Sequence, residues 1–561
     1  MRIFFKKVFF GIILFLYVQP VAAQIPIRAE NGMVVSVSGI ASQIGVEILR
    51  RGGNAVDAAV AVGFTLAVTH PAAGNLGGGG FMVIHLSNGK NTTIDFREKA
   101  PLQATRDMYL DEDGNYVPEL SRQGATSVGV PGSAAGMIYA LEKYGTLPLE
   151  SVVQPAIELA ERGFKLSWRE AASINFFNEK FNLYSSSKKI FTNNGEPLEA
   201  GQIFIQSDLA ETLKRIKETN GKDFYEGKTA ELFVKQIKEL NGIISLEDLK
   251  NYSPVEREPV AGNYRGYEIV SMPPPSSGGI ALIEALNALE NYSFTKEERG
   301  SSATIHKFVE ILKQVYADRS KHLGDSDFYD VPVEELISKE YGKKIYESIS
   351  EKAKSAEEVF PAKFQLSESE ETTHYSVADK DGNAVAVTTT INSSYGNKIV
   401  VAGAGFLMNN EMDDFSSKPG EPNQFGLVGS EANSIQPSKR MLSSMTPTIV
   451  LRDGKPFIIT GASGGSKIIT AVLQVITNVI DFGMNIRQAA EAPRFHNQWL
   501  PDRIDFEEYG TTEDVKNGLK KRGQKLGVET VVGRTHSILV DSNGVKWGAP
   551  DPRIFGKAVG Y

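Results

Sequence analysis

Residues 372–396 read TTHYSVADKDGNAVAVTTTINSSYG, and the way this stretch folds decides the rest of the chain. Two apolar, β-branched runs flank Asp381-Gly382, a dipeptide that suits a tight hairpin turn because glycine tolerates positive φ. A hairpin centred near Asp381 opposes residues whose numbers sum to about 762, so Thr372 faces Thr390 within a residue or so. Asn392 then lies two places further along the face of Thr390. Threonines gather in strands through β-propensity alone, so spacing does not by itself make Thr372 reactive. Just before it, Ser367-Glu368-Ser369-Glu370-Glu371 is polar and acidic, the composition of a solvated loop open to cutting.

The same hairpin signal recurs. Asn88-Gly89 joins Phe81 to Leu86 with Thr92 to Phe96, and Asp453-Gly454 and Asn543-Gly544 each join two β-branched runs. Helical periodicity marks Ser42 to Arg51, Ala55 to Val68, Leu149 to Arg162, Ser207 to Thr219, Thr229 to Leu240, Ile280 to Leu289, Ala303 to His322, Lys467 to Ile480 and Asp514 to Arg522. Ala55 to Val68, capped by Asn54, is apolar on nearly every face and is expected to be buried. Residues 100 to 290 read as mostly helical. Hairpins set between helical segments predict antiparallel sheets covered by helices, an α+β layered sandwich rather than a doubly wound βαβ sheet.

Composition narrows the function. The 561 residues are 41% apolar and 23% charged with a net charge of −8, an ordinary globular balance without a basic face for nucleic acid. The seven histidines show no metal-ligand spacing. Zero cysteines exclude disulfides, a thiol nucleophile and a lipid-anchoring cysteine. Residues 1–23 read as a signal peptide: a basic start at Arg2, Lys6 and Lys7, an apolar run from Val8 to Val18, and Val21-Ala22-Ala23 at the cleavage site. A retained anchor is the alternative, but the run is shorter than the ~20 residues a membrane span needs. The expectation is a periplasmic or secreted protein.

Several further blocks accompany the opening stretch: NAVDAAVAVGFTLAVTHPAAGNLGGGGF, DFREKAP, PPPSSGG, NNEMDDF, RMLSSMTPT and GASGGS. With TTHYSVADKDGNAVAVTTTINSSYG they resemble, in order, the blocks of the gamma-glutamyltranspeptidases, members of the N-terminal-nucleophile hydrolases. The resemblance runs from about Gly32 to the C-terminus. It implies a four-layer αββα sandwich and a precursor cut between Glu371 and Thr372, giving a large chain of residues 24–371 and a small chain of 372–561 interwoven in one domain. No cofactor is implied.

The implied chemistry is coherent. The Thr372 hydroxyl attacks the Glu371 carbonyl, an N-to-O acyl shift gives an ester, and water releases it. The freed α-amine, which ordinarily titrates near pH ~8, can then serve as base for its own hydroxyl. Thr390 orients it. A γ-glutamyl donor such as glutathione carries an α-carboxylate and an α-ammonium remote from the amide attacked. Arg97, at the end of a strand, suits the carboxylate, and by resemblance Ser443 and Ser444 assist. Asp414 suits the ammonium, with Asn392 and Glu411 beside it. Asp413 is expected to be structural, and the cluster lacks the alternation of a Ca2+ loop. Gly464 and Gly465, between a strand and a helix, offer backbone N–H groups for an oxyanion. A tight turn is the plain alternative there, and neither glycine run continues as a phosphate loop. Pro419 to Gly429 is implied to form a lid, with Phe425 where lidded relatives carry tyrosine. His374 shares the face of Thr372 but is expected to support packing rather than act as a base.

The activity implied is γ-glutamyl transfer to amino acids, peptides or water through a γ-glutamyl-threonine ester. Nearby alternatives are a glutaryl β-lactam acylase and a poly-γ-glutamate depolymerase. From another class, a non-catalytic solute-binding protein could use the glycine loops to grip a ligand.

Overall fold

The 372–396 stretch folds as the expected hairpin. Strands Thr373–Ala378 and Ala384–Thr390 pair antiparallel with Thr373 opposite Thr389, and the turn closes with Gly382 at φ +94°. The same register continued by one residue sets Thr372 against Thr390. The computed structural model describes residues 25–360 and 372–561; the proposed signal peptide and Glu371 lie outside the described residues.

This hairpin is the centre of a seven-stranded sheet. Its order is Lys557–Gly560, Met33–Ser36, Thr373–Ala378, Ala384–Thr390, Gly79–His85, Asn91–Asp95 and Val255–Arg257. A second, eight-stranded sheet packs against it, ordered Ile27–Ala29, Lys546–Pro550, Arg534–Val540, Lys455–Thr460, Thr448–Arg452, Tyr267–Ser271 and Val260–Tyr264, with Ala462–Ser463 beside Arg534–Val540. Both sheets combine strands from before and after Thr372.

Alternation along the strands builds two cores. Val34, Met82, Ile84, Val377, Val385 and Val387 point to one side, where Gly39–Arg50 and Ala55–Thr69 cover the first sheet. Every residue of Ala55–Thr69 is buried, and Asn54 caps it with a reciprocal Asp57 bond, worth about 1 kcal/mol. Met33, Val35, Phe81, Val83, Ala378, Ala384 and Ala386 point to the other side and meet Ile449, Ile458 and Ile538 of the second sheet. Helices Gly278–Leu289, Ser302–His322 and Lys467–Ile480 form the outer layer there. The result is the four-layer α+β sandwich, and Thr372 heads a strand on the face between the sheets.

The region read as mostly helical holds a correction. Val255–Arg257, Val260–Tyr264 and Tyr267–Ser271 are strands, the last two joined through Arg265-Gly266 with both residues at positive φ. An arginine in a left-handed turn position sends a weaker signal than asparagine or aspartate. The short edge strands Ile27–Ala29 and Lys557–Gly560 also gave no separate signal.

Candidate active site

One cleft, with about 310 Å3 of empty volume, is lined by Arg97, Arg319, Thr372, Thr390, Asn392, Glu411, Asp414, Ser443, Ser444 and Gly465, together with the apolar Phe425, Leu427, Met445 and Ile468. It gathers nine residues singled out in the sequence as catalytic or substrate-binding, and Phe425 of the expected lid. Gly464 adjoins it without lining it.

Thr372 enters at the head of its strand, largely buried. Across the hairpin, Thr390 Oγ1 accepts from the Asn392 N–H at 2.8 Å. That bond turns the chain at Asn392, which adopts φ +71° and donates through Nδ2 to the Asn410 carbonyl. One N–H of the Asn392 amide is thereby committed, and its Oδ1 remains as an acceptor at the cleft.

Arg97 is fully buried beyond the end of strand Asn91–Asp95. Its Nη1 bonds Glu411 and lies 3.5 Å from Glu98, its Nη2 donates to Asp414 Oδ2 at 2.5 Å, and its Nε to the Met441 carbonyl at 3.3 Å. Burial opposes the Arg97 charge, but Glu411, Glu98 and Asp414 outweigh it and hold the guanidinium above its ordinary value. One guanidinium cannot balance three buried carboxylates. Burial accordingly pushes Asp414 up to about 6 and Glu98 up to about 7 against the pull of Arg97, and Glu411 well above the carboxylate range.

Ser443 and Ser444 sit on an irregular segment held by residues 273–279. Ser443 donates its N–H to the Pro275 carbonyl and its carbonyl accepts from both the N–H and hydroxyl of Ser277. Ser443 Oγ accepts from the Met445 N–H at 3.1 Å, and Ser444 Oγ accepts from Arg319 Nη2 at 3.1 Å. Neither hydroxyl proton has an acceptor among the described residues. Both serines therefore present donors at the cleft.

Gly464 and Gly465 take φ +132° and +55° just ahead of helix Lys467–Ile480. Their carbonyls accept from the Lys467 and Ile468 N–H groups, which holds the turn. Their own N–H groups have no acceptor among the described residues. A Cβ on Gly465 would come within 2.6 Å of the Phe425 ring, so the turn needs glycine for its backbone and for its space.

Phe425 belongs to the 419–429 loop, which folds over the cleft. Asn423 donates to Asp414 Oδ1 at 3.2 Å, the Gln424 N–H donates to Asp413 Oδ2 at 3.0 Å, and the Phe425 carbonyl accepts from Gln498. Asp413 does not line the cleft. It accepts instead from Tyr116, Ser121 and Arg122 at 2.7–3.2 Å, tying the loop to the body. His374 is fully buried, its ring nitrogens bonded to Thr388 and Ser376, and burial holds it well below 6.5. Neither nitrogen is bonded to Thr372.

Arg319, Glu98 and the 276–277 serines are the residues that sequence reasoning missed. Arg319 carried one signal: on helix Ser302–His322 it stands four residues after Val315 and eight after Ile311, on the buried apolar stripe.

Two sheets between helical layers, with a threonine at the inter-sheet end of a central strand, define an N-terminal-nucleophile hydrolase fold. The Gamma-glutamyltranspeptidase family model matches residues 41–561. The chain is 51% identical over 530 residues to the glutathione hydrolase proenzyme of Escherichia coli K12, covering 94% of this chain and 91% of that protein. It is 38% identical to the glutathione hydrolase proenzyme of Bacillus subtilis strain 168, covering 95% and 92%. Among solved structures, cephalosporin acylase from Bacillus halodurans superposes with a TM-score of 0.85 at 29% identity, covering 96% of this chain and 97% of that one. Gamma-glutamyltranspeptidase of Helicobacter pylori superposes with a TM-score of 0.55 at 52% identity, covering 56% and 90%. The chain belongs to the gamma-glutamyltranspeptidase family.

Proposed function

We propose that this protein is a self-cleaving γ-glutamyltransferase and glutathione hydrolase. The observation that carries the reading is the single cleft in which Thr372 meets a cation with two hydroxyl donors, Arg97, Ser443 and Ser444, and an acceptor group made of the Asp414 carboxylate with Glu411 and Asn392 beside it. A γ-glutamyl head group has the matching carboxylate and ammonium.

Maturation begins with attack of the Thr372 hydroxyl on the Glu371 carbonyl. The Glu371–Thr372 amide bond breaks as the ester forms, and water then frees the Glu371 carboxylate and the Thr372 α-amine. That amine accepts the hydroxyl proton as Thr372 attacks the γ-carbonyl of the donor. Thr390, fixed by Asn392, orients the hydroxyl. The N–H groups of Gly464 and Gly465 stabilise the oxyanion as it develops. The amine proton passes to the leaving nitrogen, and an amino acid, peptide or water takes the γ-glutamyl group from the ester.

Recognition works by exchange. Arg97 and Asp414 hold each other; a zwitterionic head group gives each a new partner, carboxylate to Arg97 and the serines, ammonium to Asp414 and Asn392 Oδ1. A glutaryl acyl group lacks the ammonium and would leave Asp414 without that partner, so the acylase reading is disfavoured. The large and small chains form a heterodimer, and the N-terminal 23 residues direct export to the periplasm or the exterior. Among the described residues no helix is long and apolar enough to cross a membrane.

The test is hydrolysis of a γ-glutamyl anilide with and without glycylglycine. Anilide release that rises with the acceptor supports transfer; a protein that releases glutaryl but not γ-glutamyl groups would contradict the reading.

A further inference from the structure

Arg319 is a buried cation, 5% exposed, at the wall of the cleft and in the last turn of helix Ser302–His322. It makes no ion pair among the described residues. Its Nε donates to Ser277 Oγ at 3.0 Å and its Nη2 to Ser444 Oγ at 3.1 Å. Arg97, by contrast, is shared among three carboxylates. Its hydrogen bonds go to hydroxyls, and Asp414 reaches it only through its field, so burying this arginine is costly unless a further anion arrives beside it. Burial lowers its pKa to about 10, which still leaves it charged at neutral pH.

Its two bonds reach Ser444 directly and Ser443 through Ser277. Ser277 Oγ accepts from Arg319 and passes its own proton to the Ser443 carbonyl at 2.6 Å, which fixes that backbone. Ser444 Oγ accepts from Arg319 directly, so the one proton of that hydroxyl must be offered elsewhere. The guanidinium takes one of the two lone pairs of that oxygen and repels the hydroxyl proton, which turns the proton away from Arg319 and toward the cleft. Without Arg319 that proton is free to rotate, and orienting it toward a carboxylate costs entropy at the moment of binding.

We propose that Arg319 is a positioning residue for the α-carboxylate of the γ-glutamyl donor: it fixes Ser444 as a hydrogen-bond donor and adds positive charge that Arg97, already shared, does not supply. The inference rests on the donor reading above, in which Arg97, Ser443 and Ser444 face that carboxylate.

The experiment compares kcat/KM on γ-glutamyl-p-nitroanilide with that on the same compound bearing an α-carboxamide, using the purified two-chain enzyme, Arg319→Met, Ser444→Ala and the double variant. The wild type should prefer the carboxylate, and Arg319→Met should cut that preference roughly tenfold, mainly through KM, as expected for losing a charge-assisted contact. Ser444→Ala should add little on top of Arg319→Met. Arg319→Gln, which keeps one donor and most of the volume, carries the same expectation if Arg319→Met does not accumulate. A variant that loses activity equally on both compounds, or losses that multiply in the double variant, would overturn the inference while leaving the donor reading intact. A wild type indifferent to the α-carboxylate would overturn the donor reading and this inference with it.

Discussion

Arg97 and Asp414 are held together by a 2.5 Å contact between Nη2 and Oδ2 at the floor of the cleft. The two groups proposed to meet opposite charges of the substrate thus partly neutralise each other, which lowers the cost of burying either. Asp414→Asn keeps the shape and removes one charge from both arrangements. KM for a γ-glutamyl anilide should rise roughly ten- to a hundredfold, with cleavage before Thr372 retained. Steady-state kinetics on the two-chain variant checks this, and an unchanged KM would mean that Asp414 does not meet the ammonium.

The same carboxylate gives a pH dependence. Burial pushes Asp414 up to about 6, so it gains a proton as pH falls through that value and loses its attraction for an ammonium. Donor KM should therefore climb as pH falls from 7 to below 6. In Asp414→Asn the climb should vanish from that window. A KM profile that is flat down to pH 5 in the wild type would contradict the assignment.

Gly465→Ala tests the turn ahead of helix Lys467–Ile480. The substitution strains a backbone at φ +55° and drives a methyl into Phe425. The N–H survives but moves, and kcat should fall on the order of a hundredfold with a smaller change in KM. The readout is the split between kcat and KM; a pure KM effect would point to the lid rather than to the oxyanion donors.

Stability has its own pH signature at His536, buried 2% exposed between the sheets and their turns, where burial lowers its pKa to about 4. An unfolded imidazole titrates near 6.5. Between those values the unfolded chain binds the proton and the folded chain does not, so the contribution is complete above 6.5 and is lost as pH falls toward 4. From pH 7 to 5 this amounts to about 2 kcal/mol. Urea unfolding at both values should show His536→Gln losing correspondingly less stability on acidification than the wild type; equal losses would contradict the prediction.

Much of this arrangement was legible in the sequence because it is local. The Asp381-Gly382 turn fixes the hairpin, and the register follows by counting, which is how Thr372 and Thr390 could be paired from residue numbers alone. Leu149–Arg162, Ser207–Thr219 and Lys467–Ile480 end where periodicity and glycine stops place them. What could not be read is what depends on distant partners. Arg97 meets Glu411 and Asp414 across more than 300 positions, a distance no local pattern spans. Ser277 and Arg319 reach Ser443 and Ser444 from other segments, and nothing in PPPSSGG says which neighbour it will grip. The strands at 255–271 lacked the asparagine-glycine or aspartate-glycine turn that announced the other hairpins.

The proposed catalysis requires Thr372 to become a chain terminus. The most direct measurement is intact-mass and N-terminal analysis of the purified protein beside Thr372→Ala, with γ-glutamyl anilide hydrolysis measured on both. The wild type should contain a small chain beginning at Thr372, and Thr372→Ala should remain a single inactive chain. A wild type that hydrolyses the anilide as one uncut chain would contradict the account.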